Sequence, residues 1–180
     1  MADSPSLLYA LYGVASVGAV LGAARAFLAL KGTINIDAFA EQIVKLVRYG
    51  NEERALKLCA AAPKAQFVRM LRPALIAALD LEEGSPAAKA ARAEQAFDVA
   101  YASIMEKEKL APTWSILVMV CGVFPALAAL ALTGAAFPMP LAAVAALALV
   151  SGGWSLQISR QLRLQARPTF GRIAAAMRKS

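Results

Sequence analysis

Histidine is absent from the sequence. The side chain that most often serves as general base near neutral pH, and most often ligates metals, is therefore unavailable. Zinc hydrolysis and Ser-His-Asp catalysis lose their usual player with it. Only two cysteines occur. Cys59 sits in a polar stretch and Cys121 in an apolar one, so neither a disulfide nor a thiolate metal site is expected. No P-loop, GxGxxG, GxSxG, HExxH or CxxC pattern is present, which leaves phosphate cradles and the common catalytic motifs without a foothold. These absences predict a protein that is not an enzyme and holds no cofactor or metal.

Charge is missing over a long stretch. The fifty residues Leu110–Ser159 include no Asp, Glu, Lys or Arg. The twenty-one residues after them hold six positive charges (Arg160, Arg163, Arg167, Arg172, Arg178 and Lys179) and no negative one. A helical crossing of a bilayer takes ~20 apolar residues, so the stretch has room for two crossings. Phe137-Pro138-Met139-Pro140 provides the turn between them. A third uncharged run, residues 7–24, extends to Leu30 if Arg25 snorkels toward the headgroups. It has no basic leader before it and is read as a retained span rather than a cleaved signal.

What is abundant agrees. Hydrophobic residues make up 59% of the 180, with mean hydropathy +0.57, against ~45–50% apolar in soluble domains. The net charge of +7 is not a nucleic-acid signal. Residues 32–112 balance eleven Lys/Arg against eleven Asp/Glu, and the surplus flanks the apolar runs. Such flanking charge sets orientation.

The expectation is an all-α integral membrane protein with three transmembrane helices, an N-terminal span and then a C-terminal helical hairpin. Long helices extend from the membrane into a cytoplasmic helical region. The divisions are a first span in residues 1–31, a cytoplasmic helical region in 32–112, a hairpin in 113–159 and a basic cytoplasmic tail in 160–180. Lys/Arg placement puts the C-terminus in the cytoplasm and the N-terminus outside. Trp114 and Trp154, near the inner ends of spans two and three, fit an interfacial belt. The tail, with Arg160, Arg163 and Arg167 at helical intervals, suits anchoring at anionic headgroups.

In the middle region, Asp37 is expected to cap a helix whose apolar face is Phe39, Ile43, Leu46 and Val47. Gly50 ends it, and Asn51 opens a second, short helix. A third helix carries Pro73, and Ser85-Pro86 opens a long helix leading toward span two, with a kink expected at Pro112.

Candidate pore-lining or helix-packing residues are few. Gly18 and Gly22 form a GxxxG in span one, which lets backbones approach closely in lipid. Thr133, Ser151 and Ser155 are hydroxyls of spans two and three. A serine at membrane depth can equally satisfy itself on the carbonyl one turn back. Spans two and three contain no ionisable side chain, so the chain alone is a poor proton relay.

This order of elements, together with residues 43–59 (Ile-Val-Lys-Leu-Val-Arg-Tyr-Gly-Asn-Glu-Glu-Arg-Ala-Leu-Lys-Leu-Cys) and the proline loop at Ala62-Pro63, resembles the MotA/TolQ/ExbB proton-channel family. There a similar Gly-Asn turn joins two cytoplasmic helices. The resemblance implies a homo-oligomer, pentameric by analogy, in a bacterial inner membrane. It also implies a single-span ExbD/TolR/MotB-like partner and a role in ion-driven transport or force transduction. Membrane lipid is the other expected partner, and nucleic acid is not one. The chain departs from the family in span two, where Val120-Cys121-Gly122-Val123-Phe124-Pro125 replaces a Gly/Thr-containing run, and in span three, which opens Ala-rich. Conduction by this chain is therefore not implied. The alternative is a membrane-anchored adaptor whose cytoplasmic helices bind a soluble protein.

Overall fold

A computed structural model describes residues 5–81, 84–133 and 139–179. Among these the fold is all-helical, with no strand. Seven α-helices occur: α1 (Pro5–Lys31), α2 (Ile36–Arg48), α3 (Glu52–Ala61), α4 (Gln66–Leu79), α5 (Pro86–Lys107), α6 (Ala111–Thr133) and α7 (Met139–Met177). A 3₁₀ turn, Glu108–Leu110, separates α5 from α6. Three helical stretches, containing α1, α6 and α7, are long and apolar enough to cross a membrane. The expected turn at Phe137–Pro140 falls partly outside the described residues; Met139 and Pro140 already belong to α7.

The chain divides into two compact units. The first comprises residues 1–30 and 110–159. Its interior is made mostly of small side chains, with Ala15, Ala19, Ala129, Ala148, Ser151 and Ser155 buried alongside Val118 and Leu141. Its outward side chains are large and apolar, among them Val17, Val20, Leu28, Phe124, Leu127 and Val150. A water-soluble bundle would reverse this order, because burying a large apolar side chain is worth ~1.5–3 kcal/mol in water. In hydrocarbon that gain disappears and close backbone contact replaces it.

The second unit comprises residues 31–109 and 160–180 and is built in the ordinary way. Ile43, Val47, Phe67, Met70, Leu71, Leu75, Phe97, Ile173 and Met177 form a buried core. α2 begins two residues earlier than a cap at Asp37 would place it, because Asn35 is the cap. The Asn35 Oδ1 accepts from the Ala38 N–H at 3.1 Å, and Asp37 is left to pair with Arg172. The helix ends in a Schellman motif. Gly50, at φ +66°, lets its own N–H reach the Val47 carbonyl while the Asn51 N–H reaches Leu46. Ser85 caps α5 through the Ala88 N–H, with Pro86 at the first helical position.

Two expectations change. The break between α5 and α6 lies at Glu108–Leu110, upstream of Pro112. Pro112 stands in the first turn of α6, where a missing N–H removes no helical hydrogen bond. Residues 160–177 are also no separate tail. They continue α7 without interruption, through Pro168, and Leu162, Ala166, Phe170, Ile173, Ala174 and Met177 enter the core of the second unit. The arginines between them turn outward onto acidic partners: Arg167 to Asp98 at 3.4 Å, Arg178 to Glu94 at 2.6 Å, and Arg172 to Asp37. Arg163 donates to the Glu108 carbonyl at 3.1 Å. Basic residues at helical spacing thus mark the outer face of a packed helix.

Candidate functional site

The first unit converges on a narrow seam where α1, α6 and α7 meet. α1 contributes Gly18, Gly22 and Arg25, which lie on one side of a helix at intervals of four and three. α6 contributes Ser115, Val118, Cys121 and Gly122, and α7 contributes Ala148, Ser151, Gly152 and Ser155.

Glycine sets the spacing. A β-carbon added to Gly18 would stand 3.1 Å from Cys121 Cβ and 3.4 Å from the Gly122 nitrogen. One added to Gly22 would overlap Ser151 Oγ and come 2.8 Å from Val118 Cγ1. Gly122 is closed in the same way by Ala148. Gly152 is closed by Met119 and lies 3.0 Å, measured from such a carbon, from the Ser115 carbonyl. Close approach of this kind lets dispersion forces and short polar contacts hold helices together in lipid.

Above this seam lies a small polar knot. Arg25 Nε donates to Ser155 Oγ at 3.3 Å, and Arg25 Nη2 donates to the Ala111 carbonyl, also at 3.3 Å. The Ser115 hydroxyl lies 3.0 Å from the same Ala111 carbonyl and 3.3 Å from Ser155 Oγ. Ser115 and Ser155 are buried, so their hydroxyls need partners, and the guanidinium supplies one. Arg25 is the one charged side chain among the described residues of this unit, and no carboxylate faces it there.

The candidate residues fare differently. Gly18, Gly22, Ser151 and Ser155 meet at the seam. Ser151 bonds the Ala148 carbonyl one turn back at 3.2 Å. Thr133 is the last residue of α6, and its side chain lies outside the described residues. Sequence reasoning missed Arg25, which it assigned to headgroups, and Ser115. The two serines are forty residues apart, on different helices, and no local pattern pairs them. Gly122 and Gly152 were visible as small residues in apolar helices, but nothing in the spacing showed which neighbours they face.

The chemistry available is limited. Among the described residues no group of His, Cys, Asp and Glu could hold a metal. Every buried side-chain nitrogen or oxygen there has a hydrogen-bond partner. The knot consists of one guanidinium, two hydroxyls and a backbone carbonyl, so it clamps helices together around a cationic side chain. Cys121 and Cys59 are free thiols in different units. Burial pushes the Cys59 thiol up to about 11, with Arg72 opposing, which makes it a core side chain rather than a nucleophile. No family model, curated protein or solved structure matches the chain.

Proposed function

We propose that this chain is a MotA/TolQ/ExbB-like subunit of a bacterial inner membrane, assembling with copies of itself and with a single-span partner in an ion-driven transport or force-transducing complex. The observation that supports the reading most is the interrupted construction of the second unit. Its helices come from the segment between spans one and two and from the continuation of span three. On this reading those two segments lie on one face of the membrane, with the N-terminus across it. The polar unit is joined to span three covalently, through α7. The outward apolar face of the first unit supplies contact area for neighbouring copies, and the small-residue seam holds each copy's own spans together.

A specific observation favours a second reading, a membrane-anchored adaptor. Ser115 and Ser151 donate their hydroxyls to backbone carbonyls of their own helices, and Ser155 Oγ accepts from Arg25 Nε, so each has a partner within the chain. The two readings separate by stoichiometry. Native mass spectrometry of the full chain in mild detergent yields a homo-pentamer under the first reading. A monomer or dimer, and no proton flux when the chain is reconstituted with a single-span partner carrying a membrane carboxylate, rejects it in favour of the adaptor.

A further inference from the structure

Between α1 and α6 runs an open groove of about 680 Å³, walled by Val14, Val17, Gly18, Leu21, Leu117 and Cys121. It reaches from Ala10 to Arg25 and Leu28 along α1. Fifteen residues of helix cover about 22 Å, against roughly 15 Å for one leaflet, half of a ~30 Å hydrocarbon core. Gly18 opens the floor, since a larger side chain there would press on Cys121.

The groove is apolar along its length and positive at one end. Arg25 lines it there, and Trp114, which is half exposed, is part of the same lining. Two of the five guanidinium N–H donors are used on Ser155 and Ala111. These bonds fix the plane of the group, and its other donors have no partner among the described residues. Among the described residues of the unit no acidic side chain offsets the charge. A fixed guanidinium is suited to bidentate capture of a phosphate. A tryptophan in the same lining suits the depth of headgroups. Apolar wall, positive end and interfacial ring together describe a phospholipid outline.

We propose that the α1–α6 groove is a binding site for an anionic phospholipid, whose phosphate meets Arg25 and whose acyl chain lies along Val14–Leu21. The site rests on the helices being embedded in lipid, and it needs no ring, because one chain supplies every wall.

The test is native mass spectrometry of the full chain released from micelles containing equal amounts of dioleoylphosphatidylglycerol and dioleoylphosphatidylcholine. The expected result is at least threefold preference for the glycerol lipid. Arg25→Gln brings that preference to about one, and Arg25→Lys, which keeps the charge and guards against a folding defect, retains it. Val17→Trp, which fills the groove and spares the guanidinium, lowers retention of both lipids. Equal retention on the unaltered chain, or a preference unmoved by Arg25→Gln, overturns the proposal. So does efficient disulfide cross-linking of two chains through Leu21→Cys, which would place a second copy in the groove. Retention is read for each chain mass, so a failure of pentamer assembly leaves this result legible on its own.

Discussion

Phe170 lies flat on Phe97, with ring centroids 4.0 Å apart and planes 3° from parallel. The two residues come from α7 and α5, seventy-three positions apart, and both are buried. The contact makes the C-terminal segment a structural member of the second unit. Tyr101 extends the stack from Phe97 at 6.0 Å, and the Arg167 guanidinium covers Tyr101 at 4.8 Å.

The energies of the segment should therefore sit in its apolar residues. Phe170→Ala is expected to cost about 3–5 kcal/mol, the usual range for emptying a buried aromatic position. Each of Arg167→Ala and Arg178→Ala should cost only about 0–1 kcal/mol, since these pairs are more than two-fifths exposed on both sides. Thermal melts of the detergent-solubilised chain, followed by circular dichroism, measure all three. If the arginine substitutions prove the costlier, the segment is held by charge rather than by packing.

Gly22 and Gly13 provide a matched pair on α1. Gly13→Ala meets nothing within 4 Å and should be neutral or slightly stabilising through helix propensity. Gly22→Ala would run into Ser151 and Val118, and overpacking of this kind costs about 1–3 kcal/mol. Ser151→Ala in the same chain should recover part of that loss, giving a non-zero coupling in the double-mutant cycle. Additive effects would mean that the two residues do not meet.

Cys59 carries a pH signature. Its folded pKa, about 11, lies above the ordinary thiol value of 9.0. The folded state therefore holds its proton after the unfolded state has released it. The contribution to stability is complete below pH 9, declines as pH rises from about 9 to about 11, and changes no further above that. Urea titrations at pH 8 and pH 10.5 should show the fall, and Cys59→Ser should flatten it. At pH 8 iodoacetamide should modify Cys59 only at the rate of unfolding. Rapid alkylation of the folded chain would contradict the burial.

Much of this molecule is local and was therefore legible beforehand. The fifty uncharged residues favour long apolar helices, which satisfy their backbone groups within the segment and are long enough to cross a membrane. Gly50 and Ser85-Pro86 announce helix ends through their own torsions and side chains, within a few residues. The shift from Asp37 to Asn35 shows the limit of such signals, since two capping residues on either side of Ile36 compete and a distant arginine takes the second.

Tertiary structure decided the rest. Residues 160–177 read as a charged tail because arginines dominate their composition. Their apolar positions gain meaning only against Phe97 and the core from α2 to α5, which lie far away in the chain. Arg25 reads as a headgroup anchor until Ser155 and Ala111 are brought beside it, over intervals of 130 and 86 residues. Hydropathy and helix propensity act over a few turns, whereas which small face meets which follows from packing between helices that sequence spacing does not relate.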